Sequence, residues 1–101
     1  TMTIRVHSPF QPNEQLQNQI NERVGKLQRF FDRIKLAEVF LQEAQQEKSK
    51  SESKEVTLKV YIMRRVLYVS ERSKNFEQAL LNASEKMRQQ LKAYETEMKI
   101  F

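Results

Sequence analysis

The chain has no cysteine, no tryptophan, one glycine, one histidine and two prolines in 101 residues. Without cysteine there is no disulfide framework, no thiolate zinc site and no cysteine nucleophile. His7 stands alone, so neither a histidine-based metal site nor a Ser-His-Asp triad can be assembled within one chain. A single glycine, Gly25, cannot build a glycine-rich phosphate loop. Long apolar runs are missing too, which excludes a membrane-spanning helix. The scarcity of glycine and proline, with 39% hydrophobic residues, also excludes a disordered or loop-built chain. The first residues, Thr1 to Val6, read as a strand rather than a signal peptide.

What the chain has is charge. Lys and Arg number 18 against 13 Asp and Glu, for a net charge of +5. The isoelectric point near 9.6 admits a nucleic-acid partner without requiring one. The acids are spread along the chain, mostly beside Lys or Arg. Glu22 lies one helical turn before Lys26, the spacing of a surface ion pair rather than of a catalytic carboxylate. The expectation is a protein that is not an enzyme and uses neither metal nor cofactor.

Hydrophobic periodicity divides the chain into six elements. Ile4 and Val6 alternate with polar residues as a short strand. After a connector containing Pro9 and Pro12, Asn13 is placed to cap a helix running to about Phe31. Leu16, Ile20, Val24, Leu27, Phe31 and Ile34 recur at spacings of three and four, one apolar stripe. Gly25 inside that helix costs about 1 kcal/mol against alanine. A strand begins at Ala37 with Val39 and Leu41 alternating, and runs into a polar arm, Gln42 to Glu55, read as a hairpin with a mobile tip. Val56, Leu58, Val60 and Ile62 alternate as a third strand, and Leu67 and Val69 mark a fourth. Met63-Arg64-Arg65 between them is a tight turn. From near Ser73 or Asn75, the residues Phe76, Leu80, Ala83, Met87, Leu91, Tyr94 and Met98 stripe a long second helix. The order β-α-β-β-β-α predicts an α+β fold, a four-stranded sheet with two helices packed on one face. Residues 1–101 are expected to form a single domain.

The basic residues are the candidate functional groups. Lys26, Arg29 and Arg33, flanked by Arg23 and Lys35, fall on the first helix opposite its apolar stripe. Such a stripe is either a solvated face or a phosphate-binding surface, where arginine offers a planar fork and lysine a point charge. On the second helix, Lys86 lies on one flank and Arg88, Lys92 and Lys99 on another, diluted by Glu77, Glu85, Glu95 and Glu97. Arg64 and Arg65 either add a contact or keep a sheet edge soluble. Phe40, Tyr61 and Tyr68 are expected on the sheet face away from the helices. There cross-strand packing is favoured over base stacking, because the glycine-aromatic signature of sheet-platform RNA binders is absent.

These residues resemble a known family. Lys26-Leu27-Gln28-Arg29-Phe30-Phe31-Asp32-Arg33-Ile34 looks like the K-L-x-x-[YF]-F-D-R-I segment of ribosome hibernation-promoting factors, also called ribosome-associated inhibitor, protein Y or sigma-54 modulation proteins. Val39-Phe40-Leu41 and Thr57-Leu58-Lys59-Val60 are similar to the family's second and third strands. Asn75-Phe76-Glu77-Gln78-Ala79-Leu80 and Glu85-Lys86-Met87-Arg88-Gln89-Gln90-Leu91 stand where the family has D-M-Y-x-A-I and D-K-L-x-R-Q-L.

The resemblance implies a short-form hibernation factor. Such a protein binds the small ribosomal subunit (16S rRNA) and the 70S ribosome in the mRNA and tRNA channel, and inhibits translation in stationary phase or stress. It implies a cytoplasmic protein, without membrane contact and by default monomeric, lacking the C-terminal dimerisation domain of long forms. Arg23, Lys26, Arg29 and Arg33 match basic positions of the family's first helix, and Lys86 one of its second. Gln89 replaces a usual arginine, and Ala93 and Glu95 stand where basic residues are common, which shifts weight to Arg88, Lys92 or Arg64. The competing readings are a general structured-RNA binder and a protein-interaction modulator of transcription.

Overall fold

The structure, a computed structural model, describes residues 3–31, 33–43, 53–63 and 65–99, the side chains at 30, 98 and 99 excepted. In chain order the elements are β1 (Thr3–His7), α1 (Glu14–Phe30), β2 (Leu36–Glu43), β3 (Lys54–Ile62), β4 (Arg65–Ser73) and α2 (Phe76–Lys99). The sheet order is β1-β2-β3-β4. β1 and β2 are parallel, with α1 as their crossover, and the other two pairings are antiparallel. This is the predicted β-α-β-β-β-α arrangement.

Strand alternation sets the layers. Ala37, Val39 and Leu41 of β2, Val56, Leu58, Val60 and Ile62 of β3 and Val69 of β4 are buried on one face. The helices lay their stripes on that face: Leu16, Ile20, Val24 and Leu27 from α1, and Phe76, Leu80, Ala83, Met87 and Leu91 from α2, form one core with them. Both helices are capped by asparagine. Asn13 Oδ1 accepts from the Leu16 N–H at 2.8 Å, and Asn75 Oδ1 from the Gln78 N–H at 2.7 Å. Each such cap contributes about 1 kcal/mol.

Two boundaries differ from the pattern reading. Phe31 leaves helical geometry at φ −136°, although its N–H still reaches Leu27 O at 2.9 Å. Phe31 and Ile34 therefore join the core from the connection to β2, not from α1. Arg65 pairs with Ile62 across the β3–β4 ladder, so it belongs to β4 rather than to a turn. As expected of a hairpin arm, β2 is described as far as Glu43, opposite Lys54, whose ammonium pairs with its carboxylate. The expected arm tip, residues 44–52, and Arg64 lie outside the described residues.

Among the described residues, no helix covers the second face of the sheet. Across it run Arg5, Glu38, Lys59 and Tyr68 in one row and His7, Phe40, Thr57 and Ser70 in the next. Phe40 is stacked on His7 at 4.6 Å, with the Lys59 ammonium 5.4 Å from its ring centre. The Tyr61 hydroxyl donates to Glu38 at 2.6 Å. Two of the three expected aromatics are thus engaged in cross-strand packing, and Tyr68 remains 54% exposed.

Candidate nucleic-acid interface

α1 and α2 lie side by side on the sheet, and a cleft of about 160 Å³ opens between them. Its walls are Arg23, Lys26 and Leu27 from α1 and Leu81, Ser84, Glu85 and Arg88 from α2. Helical spacing puts them there. Arg23 and Lys26 flank the buried Val24 and Leu27, on the side of α1 that turns toward α2. Ser84 and Arg88 are one turn apart on α2. Ser84 is buried and donates its hydroxyl to the Leu81 carbonyl at 2.9 Å, so the cleft floor is satisfied internally. Three cations against one carboxylate, Glu85, converge on this cleft from two rigid elements.

A larger open depression, of about 650 Å³, adjoins it on α1, lined by Asn21, Glu22, Gly25, Lys26, Gln28 and Arg29. Lys26 borders both. Its ammonium lies 3.7 Å from Glu22, the expected turn-spaced pair, with both side chains more than half exposed. An exposed pair of this kind contributes about 0.3–0.5 kcal/mol and opens readily for a stronger anion. A Cβ built on Gly25 would meet nothing within 4 Å, so the glycine admits no close neighbour from the chain's own described residues.

The sequence-predicted cations are distributed unequally. Arg23, Lys26 and Arg88 are brought together, and Arg29 extends the α1 side. Arg33 stands beyond the end of α1, exposed in the connection to β2. Lys92 lies one turn past Arg88 and is exposed. Lys86 is on the other flank of α2, where its ammonium meets Glu71 of β4 at 2.7 Å. Glu85 and Ser84 as cleft walls were not singled out from sequence. Their period places them on one flank of α2, but not which flank meets α1.

The chemistry available is anion binding. The basic groups are half-buried or exposed, and arginine forks on fixed helices suit phosphate oxygens. Among the described residues no cluster of acids and histidine could hold a metal ion, and no helix is long and apolar enough to cross a membrane.

Comparison with known proteins agrees with the fold. Residues 4–99 match the family model described as sigma 54 modulation protein / S30EA ribosomal protein. Among curated proteins, no relative matches the chain. Among solved structures, a ribosomal subunit interface protein from Coxiella burnetii superposes with a TM-score of 0.79 at 16% identity, over 94% of this chain and 99% of that one. The N-terminal domain of Thermus thermophilus Protein Y does so with a TM-score of 0.70 at 15% identity, over 93% of this chain and 98% of that one. At such identities these likenesses show a shared fold.

Proposed function

Because the chain belongs to the sigma 54 modulation protein / S30EA ribosomal protein family, a family of ribosome-associated proteins rather than of enzymes, we propose that it is a ribosome hibernation factor. It binds the small subunit through 16S rRNA, in free subunits and in 70S ribosomes, and fills the channel that mRNA and tRNA need. Its action is stoichiometric occupancy in the cytoplasm during stationary phase or stress, one copy per ribosome and without a cofactor. The observation that carries this reading is the convergence of Arg23, Lys26 and Arg88 on one cleft between two helices. Arg29 and Arg33 continue the surface along α1 and past its end, and Lys92 along α2. Phosphate contacts supply affinity, and the rigid shape of the helix layer selects a structured RNA channel over plain duplex.

Co-sedimentation with purified small subunits, with and without bound tRNA, tests this. The wild-type protein binds at one copy per subunit, and prebound tRNA excludes it. Replacing Arg23, Lys26 and Arg88 with alanine removes three charge-assisted contacts of about 1.5 kcal/mol each, enough to weaken binding a hundredfold or more. The far-ultraviolet circular dichroism stays that of the wild type, because the cleft cations lie outside the core. Equal affinity for free duplex RNA and for subunits would defeat the hibernation reading in favour of a general RNA binder.

A further inference from the structure

The sheet has two edges, and they are built differently. β1 is five residues long, carries Arg5 at its centre and runs into Ser8-Pro9. Short length, central charge and nearby proline are the usual protections of an edge strand. β4 is nine residues long. Its middle, Val66-Leu67-Tyr68-Val69-Ser70, has no charge, no proline and no glycine. Among the described residues only β3 pairs with it in the sheet, which leaves the other side of its backbone as an open ladder. Beside that ladder, on the helix-free face, Val66 is 50% and Tyr68 54% exposed. The arginines of β4, Arg65 and Arg72, stand only toward its ends, and an uncharged strand middle on an open edge is a template for another strand.

The charges at its ends say which strand. Arg65 at one end bonds Glu97 of α2 at 3.3 Å, and Glu71 near the other end bonds Lys86 of α2 at 2.7 Å. Antiparallel pairing of β4 with the β4 of a second copy, centred on Tyr68, keeps every side chain on its proper face. It sets Tyr68 opposite Tyr68, Leu67 opposite Val69, Val66 opposite Ser70, and Arg65 opposite Glu71. The same two-fold runs the exposed α2 row Lys86, Gln90, Ala93, Glu97 past its counterpart in the opposite sense, bringing Lys86 toward the second copy's Glu97. Each end therefore joins two cations to two carboxylates, with a small residue at the middle of the helix row. We infer that β4 is a self-association edge, through which two copies join their sheets into one of eight strands with closed two-fold symmetry. The cleft between α1 and α2 lies on the opposite flank of α2 and stays open.

Such a contact falls at the small end of specific interfaces, below about 1,200 Å² in total, and each copy carries a net charge of +5. Repulsion between whole molecules is long-ranged and screened by salt, whereas close pairs and apolar contacts are screened far less. Dimerisation therefore strengthens as salt rises, the reverse of binding to RNA.

The test uses the absence of native cysteine. Tyr68→Cys places two thiols across the two-fold, within the span a disulfide bridges, whereas in Ser70→Cys the two thiols are offset along the strands beyond it. Under a mild copper oxidant the first variant forms a covalent dimer at least tenfold faster than the second, and faster in high salt than in low. Sedimentation velocity of the wild type shows a dimer fraction that grows with concentration and with salt, and Tyr68→Lys abolishes it. Equal cross-linking rates at the two positions, or a wild-type protein that stays monomeric in high salt at its highest soluble concentration, would overturn the inference.

Discussion

Glu38 sits where three side chains of the open sheet face meet. Tyr61 donates its hydroxyl at 2.6 Å, and His7 Nε2 lies 3.0 Å from the other carboxylate oxygen. The Tyr61 hydrogen bond, followed by that of His7, holds the Glu38 carboxyl below its ordinary value of 4.5, against a smaller opposing effect of burial. The same bond, with burial, raises the Tyr61 phenol above 10.0. The sign follows from linkage. A carboxylate with a depressed folded pKa contributes stability that is complete above 4.5 and is lost as pH falls through the folded value. A phenol with a raised pKa contributes below 10.0 and loses it as pH rises further. The pair thus holds β2 to β3 across the neutral range and weakens toward both extremes. Tyr61→Phe removes the larger cause, so Glu38 should titrate closer to 4.5 in the variant, read from its side-chain carboxyl carbon by NMR. An unmoved midpoint would shift the assignment to His7.

At the scale of elements, the two helices were readable because each has a single apolar stripe and an asparagine at its start. The strands were readable where burial alternates, and less so at their ends. Arg65 and Arg72 belong to β4 through pairing with Ile62 and Glu55, which no hydrophobic pattern announces. The candidate site was legible only in part for a related reason. Periodicity assigns Lys86 and Arg88 to different flanks of α2, but the packing order decides that Arg88 meets α1 and Lys86 meets β4. α1 also contains its one local inconsistency, a helical glycine. Nothing in the described structure needs the missing Cβ at Gly25, and its backbone is not in the left-handed region. Gly25→Ala should therefore stabilise the protein by about 0.5–1 kcal/mol, the gain expected from reduced freedom of the unfolded chain. In urea denaturation the midpoint rises at constant slope. A lower midpoint would mean that the α1 backbone is constrained there in a way its geometry does not reveal.

At the scale of the whole molecule, the two proposed partners, rRNA and a second copy, should respond to salt in opposite directions. Binding of a basic protein to RNA releases counterions, so the logarithm of the affinity falls linearly with the logarithm of salt concentration. Each neutralised phosphate contributes about 0.7–0.9 to the slope. If Arg23, Lys26 and Arg88 each engage one phosphate, the triple alanine variant should bind small subunits with a slope shallower by about two to three. The wild-type and variant lines then converge at high salt, because what was removed is itself salt-dependent. Parallel lines would show that the cleft cations act through local packing, with phosphate contact lying elsewhere on the surface. A charge deletion on the opposite flank, Lys86→Ala, leaves the slope nearly unchanged, since that ammonium already faces Glu71. The slope therefore separates the cations that share the cleft from those that share only its helix.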